Sequence, residues 1–277
     1  MVAKKATTST KRNTKSPSKA TATEAKVSAS KPPRRNSLRS LNFTRMPVLG
    51  AAVAEFLGTF MLGAVIVSIR NEPLWIMFAL VGIVLTVGAI SGAHLNPAIS
   101  IAAWVTKRIS AVRALVYVIA QILGAMLALV IATAYVDAAP DQSAMFGQPA
   151  AEVFKAAAIP EAKEWGIFFA ELLGATLFGF VFASAYKKRG HIVAYALTIG
   201  FGFFVAMTIA GTLAAYLGGS TILNPATAIS LQALTFDVWP LAAYLLAPVL
   251  GAVLGFALRD LLSTADTLAD KHPVVKL

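Results

Sequence analysis

The chain has 277 residues, of which 57% are hydrophobic and only 13% are charged. A mean hydropathy of +0.72 excludes an ordinary soluble domain and fits a protein that crosses a membrane several times. The absence of Cys excludes a disulfide framework, a thiolate metal site and a thiol redox motif. The net charge of +11 suggests nucleic acid until it is located. Residues 1–46 hold seven Lys and five Arg against one Glu, so they carry all of it, and the remainder is formally neutral.

That N-terminal stretch is dominated by Lys, Thr, Ser, Ala and Pro, with no helical or strand periodicity. It cannot bury enough apolar surface to offset its ordering entropy, so it is expected to be a disordered tail. It lacks the apolar core of a secretory signal peptide. A solvated cytoplasmic tail is the ordinary behaviour of such a charge block. Attraction to an anionic leaflet is the second reading, because Lys31, Arg34, Arg35, Arg39 and Arg45 crowd the first span. Nucleic-acid binding ranks last, since no aromatic side chains interleave with the cations for base stacking.

Pro47 to Ile69 is an apolar run ended by Arg70, Asn71 and Glu72, long enough for a crossing of about 20 residues. Pro73 to Ile90 is a second. Next comes Ser91-Gly92-Ala93-His94-Leu95-Asn96-Pro97-Ala98, followed by a short helical stretch closed by Lys107 and Arg108. Asn is a preferred N-cap and Pro suits the first helical turn, so Asn96-Pro97-Ala98 reads as a helix start at membrane depth. From Pro97 the helix spans only about half of a hydrocarbon core of about 30 Å, so it enters the bilayer without crossing it.

Ile109 to Val136 is the third full span. The connection Asp137 to Glu164 carries five acidic residues against two Lys. Trp165 to Tyr186 is span four, closed by Lys187, Lys188 and Arg189, and His191 to Leu213 is span five. A second triplet, Asn224-Pro225-Ala226, opens another short helix reaching roughly Leu234, and Val238 to Leu258 is span six. Lys107, Arg108, Arg113, Lys187, Lys188, Arg189 and Arg259 all fall on the side of the basic tail. The positive-inside bias therefore puts both termini in the cytoplasm.

The two halves repeat. Ala54-Glu55-Phe56-Leu57-Gly58-Thr59 matches Ala170-Glu171-Leu172-Leu173-Gly174-Ala175-Thr176, the two triplets match, and Tyr117 to Ala125 matches Tyr244 to Ala252. Three spans per half is odd, so the second half enters the membrane inverted. Such repeats place a shared site near the midplane. The expected fold is an all-α membrane protein: six transmembrane helices plus two re-entrant half-helices in an inverted 3+3 repeat. Repeat one covers 47–137 and repeat two 165–262, within a channel domain 47–262 flanked by cytoplasmic tails 1–46 and 263–277.

With these motifs, residues 48 to 262 resemble the aquaporin and aquaglyceroporin (major intrinsic protein) family. Two Asn-Pro-Ala triplets with paired Glu in spans one and four form a specific signal. The resemblance implies a passive channel for water and small neutral solutes such as glycerol, urea or ammonia. It also implies a homotetramer of separate pores in a plasma or inner membrane, in contact with membrane lipids. The pore midplane would be Asn96, Pro97, Ala98, Asn224, Pro225 and Ala226. As N-cap, each Asn gives its side-chain oxygen to its own helix, leaving its NH2 free for the lumen. Glu55 and Glu171 are implied to order the pore loops, and His94 is read the same way. No cofactor or metal is expected, and the places of His191 at a span entrance and His272 in the C-terminal tail argue against a metal site.

Most members carry Arg after the second triplet, where this chain has Thr227, and Ala228 follows in place of the Asp of glycerol facilitators. By spacing, the outer constriction would be Ile76, Thr212, Thr221 and Thr227, with Trp75 or Gly211 entering if the register shifts by one. Without a guanidinium this filter should be wider and less stringent. No Gly-rich phosphate loop or nucleophile elbow suggests an enzyme. The competing class is an ion- or proton-coupled secondary transporter, which can share inverted repeats and broken helices and could use Glu55 and Glu171 as a proton relay.

Overall fold

The computed structural model describes residues 47–139 and 152–271, all within one compact unit, Asn42–Leu277. The expectations for the basic tail 1–46 and for the last residues of the chain lie outside the described residues, as does the middle of the acidic connection. Among the described residues, regular structure is helical throughout: α1 (Pro47–Ser68), α2 (Pro73–Ser91), α3 (Pro97–Val105), α4 (Ala111–Asp137), α5 (Glu164–Ala185), α6 (Ile192–Ala215), α7 (Pro225–Ser230), α8 (Val238–Leu241) and α9 (Ala247–Lys271). A single 3-10 turn, Tyr186–Lys188, follows α5, and a π-helical turn, Ala242–Leu246, joins α8 to α9.

Six stretches are long and apolar enough to cross a membrane: Val48–Ser68, Pro73–Ser91, Ala111–Asp137, Glu164–Lys188, Ile192–Ala215 and Val238–Ser263. These agree with the expected spans to within a few residues, except that the last runs past Leu258. Its helix continues to Lys271, so the stretch from 263 starts as helix. The π turn has a local cause. Pro248 has no N–H to give the Tyr244 carbonyl four residues back, and its ring crowds that carbonyl, so the helix widens there.

α1 begins at one face of the bundle, the near face, and an odd number of crossings brings α5 in from the opposite, far face. The inverted repeat is visible in the packing. α1 lies on α4 and α5 lies on α9. Both pairs touch through a glycine: a Cβ on Gly124 would lie 2.4 Å from the Phe56 carbonyl oxygen, and one on Gly251 would lie 2.4 Å from that of Leu172. Gly58 and Gly174 are matched too, each facing the side chain of a leucine, Leu95 and Leu223, just before a half-helix. Without hydrophobic gain between helices in lipid, such close backbone approach is a main source of association.

The half-helices end alike. Lys107 and Gln232 both take left-handed φ angles, 61° and 54°. The next backbone N–H in each case reaches back five residues, Arg108 to Ala103 and Ala233 to Ala228. This C-terminal closure satisfies carbonyls that lipid could not. α3 has nine residues and α7 only six, fewer than its sequence suggested.

Candidate functional site

Each half-helix starts from an Asn in extended conformation, φ −156° at Asn96 and −147° at Asn224. Asn96 Oδ1 accepts from Ala98 N at 2.8 Å and Asn224 Oδ1 from Ala226 N at 3.0 Å, so both are true N-caps. The amide nitrogens then cross over. Asn96 Nδ2 donates to the Leu223 carbonyl and Asn224 Nδ2 to the Leu95 carbonyl, both at 2.9 Å. Each Asn thus holds the residue preceding the other, and the two helix starts are tied end to end inside the bundle. This corrects the expectation of an entirely free NH2: one of its two hydrogens is spent on the opposite loop, and one remains.

The loops are strained to reach this arrangement. Ala93, Leu95 and Leu223 have φ of 46°, 51° and 62°, uncommon for residues with a Cβ. Buried carboxylates hold them there. Glu55 accepts from His94 N at 2.9 Å and Leu95 N at 2.7 Å, and Glu171 accepts from Ile222 N and, at 2.8 Å, from Leu223 N. All four N–H groups would otherwise be buried without partners, a cost of about 1–3 kcal/mol each.

The halves are not equal. Glu55 also accepts from Gln121 Nε2 at 2.8 Å, and that amide reaches Ser100 Oγ at 2.9 Å. Ser100 in turn meets His94 Nδ1 at 3.2 Å, while His94 Nε2 meets Tyr186 Oη at 2.8 Å. The His94 ring sits edge-on to Tyr117 and Phe182. In the second half the position of Gln121 is Pro248 and that of His94 is Ile222, so Glu171 holds its loop alone.

Several loop carbonyls are committed. Ser91 receives Tyr117 Oη at 2.8 Å, Gly92 receives Tyr195 Oη at 2.7 Å, and Thr221 receives Asn71 Nδ2 at 3.0 Å. Among the described residues, no donor meets the carbonyls of Ala93, His94 and Ile222, which flank the paired Asn residues.

On the far face lies a cavity of about 440 Å³. Of the four expected constriction residues, Thr212 and Thr221 line it, as does the off-by-one alternative Gly211. Ile76 and Thr227 are fully buried and do not line it. The Thr227 hydroxyl donates to the Asn224 carbonyl at 3.2 Å, back onto its own helix. Trp75 is exposed on the outside of the bundle. Pro97, Ala98, Pro225 and Ala226 are buried where the half-helices begin.

Reading the sequence alone missed the side chains that finish the site: Gln121, Ser100 and Tyr186 around His94, and Asn71 at the far-face turn. Gln121 was legible as part of a repeated motif, but its partner was not. The connection after α4 also has a structural role. Ala156 N donates to the Leu231 carbonyl at 3.1 Å and Ala157 N to Ser220 Oγ at 3.0 Å, so Glu152–Lys163 straps the second half-helix.

Six spans in two inverted halves, with two half-helices meeting cap to cap at the centre, define the class of inverted-repeat membrane proteins with re-entrant half-helices. The model for the major intrinsic protein family matches residues 42–258. The chain belongs to that family, whose members are passive membrane channels and not enzymes. It is 33% identical over 226 residues to the glycerol uptake facilitator protein-like 6 of Lactiplantibacillus plantarum, spanning 77% of this chain and 98% of that protein. It is 30% identical over 257 residues to aquaporin-2 of Rattus norvegicus, spanning 86% and 87%. The X-ray structure of the aquaglyceroporin from Plasmodium falciparum shares the fold, with a TM-score of 0.62 at 21% identity over 80% of this chain and 99% of that one.

Proposed function

We propose that this channel passes water and small neutral solutes such as glycerol, urea and ammonia, with its narrowest electrostatic barrier at Asn96 and Asn224. The observation that carries the reading is the reciprocal amide cross-bond, which leaves one N–H on each Asn at the junction of the half-helices. Two such donors can hold one water oxygen and turn its hydrogens away from each other, which interrupts a proton-conducting chain. The carbonyls of Ala93, His94 and Ile222 supply acceptors on either side for the neighbouring waters. Facing helix N-termini add positive potential where a cation would already be dehydrated.

The outer filter in this reading consists of Ile76, Thr212, Thr221 and Thr227. With no guanidinium on α7, solute size and hydroxyl contacts decide more than charge does. Glu55, Glu171 and His94 are structural in this reading: each carboxylate is occupied by two loop N–H groups, which favours holding the loops over relaying protons. Domain limits at 47–262, both termini in the cytoplasm, a plasma or inner membrane and a homotetramer complete the proposal. Exposed apolar residues along every span support contact with lipid or with neighbouring subunits.

Stopped-flow light scattering on purified proteoliposomes tests it. Water flux above that of empty vesicles, and faster swelling under glycerol and urea gradients, are expected. Flux that needs a Na⁺ or H⁺ gradient would instead indicate a coupled transporter.

A further inference from the structure

The turn between α1 and α2 is built at a cost. Arg70 and Asn71 both adopt left-handed conformations, φ 56° and 60°, and neither is glycine. Such geometry persists only where surrounding contacts over-determine it. Here Asn71 N reaches the Ile66 carbonyl at 2.9 Å, and Asn71 Nδ2 is fixed to the Thr221 carbonyl at 3.0 Å. The turn is therefore pinned to the second pore loop, three residues ahead of Asn224. What it presents is Arg70.

Arg70 lines the same far-face cavity as Thr212 and Thr221. Its guanidinium carbon lies 5.0 Å over the ring of Phe154, which belongs to the strap and also lines that cavity. The strap is itself anchored to the second half-helix through Ala156 and Ala157. Glu72 is the one carboxylate lining the cavity, and no ion pair joins it to Arg70; the ion pair found among the described residues is Arg108 with Asp260. Stacking on an aromatic face holds a guanidinium in place while leaving its N–H edge free.

We propose that Arg70, positioned by Phe154 and Asn71, supplies the cation-repelling charge of the outer vestibule that Thr227 does not. The inference rests on the channel reading above. The barrier is then assembled from an inter-helix turn and a strap, above the constriction, instead of from the half-helix itself. The half-helix ends act where the two Asn residues meet, so a second positive charge on the far side repels cations before they reach that point. Arg70 is solvent-exposed, so its effect should weaken as ionic strength rises and the screening length falls below about 10 Å.

The test compares wild type with Arg70→Gln and Arg70→Lys in proteoliposomes, reading water permeability by light scattering and cation leak by a K⁺-driven fluorescence assay. Arg70→Gln should leave water flux within about twofold and raise cation leak about tenfold at low salt, with the difference shrinking at high salt. Arg70→Lys should stay near wild type, and adding Thr227→Arg to Arg70→Gln should suppress the leak. Unchanged leak in Arg70→Gln would overturn the proposal, as would equal leak in Arg70→Lys. Loss of water flux in Arg70→Gln would also overturn it, by marking the residue as structural. A wild-type protein that passes no water would sink the channel reading itself.

Discussion

Asn96 and Asn224 each do three jobs with one amide. The oxygen caps a half-helix, one N–H holds the opposite loop, and the other is left at the centre. Replacing Asn96 with Ala removes a cap worth about 1–2 kcal/mol and strands the Leu223 carbonyl. Thermal unfolding in detergent should therefore show a clearly lower midpoint, with proton leak raised in vesicles. An Asn96→Ala protein as stable as the parent would contradict the cross-bond. The two carboxylates offer a sharper comparison. Glu171→Ala leaves Ile222 N and Leu223 N unpaired, a loss of about 2–6 kcal/mol from two unsatisfied donors. Glu171→Gln keeps an acceptor and should fall between that variant and wild type. The order of the three midpoints is the measurement, and an Ala variant more stable than the Gln variant would refute the loop-holding role.

At the scale of elements, the half-helices and their starts were legible from sequence because a cap is a local event. Asn, Pro and the following apolar turn carry the signal within four residues. The end of α7 was less so: Gln232 closes it early by turning left-handed, and no glycine marks the place. The opening of the last span at the π turn follows from Pro248, a signal present in the sequence whose consequence was not drawn. Helix pairing gives a direct test. Gly124→Ala and Gly251→Ala would drive a methyl into backbone of α1 and α5, and overpacking of this kind costs about 1–3 kcal/mol. Gly82 in α2 has nothing within 4 Å of its would-be Cβ, so Gly82→Ala should be neutral or slightly stabilising. Size-exclusion profiles after a heating series would separate the first two variants from the third. If all three behave alike, the close α1–α4 and α5–α9 contacts are not what holds the pairs.

The whole molecule raises the question of selectivity. Thr227 is buried with its hydroxyl turned onto its own helix, so the proposed outer filter has less charge and bulk than an Arg would give it. Thr227→Arg should cut glycerol flux about tenfold or more while leaving water flux far less affected, since a guanidinium in a narrow pore excludes by size and by fixed hydrogen bonding. Swelling assays in glycerol and in a non-permeant osmolyte would show the split; equal flux in both proteins would place the constriction elsewhere.

The sequence by itself determined the six spans, the inverted halves, the two caps and the family resemblance. Hydropathy, N-cap chemistry and repeated motifs are properties of short stretches, and the bilayer leaves few ways to satisfy them. The tertiary structure decided where the remaining hydrogen bonds go. That Asn96 holds Leu223, that Gln121 and Ser100 finish one carboxylate site and not the other, and that Arg70 lies over Phe154 beside Thr221 all join residues far apart in the chain. Such partners are chosen by how the helices close on one another, and no local pattern encodes that choice.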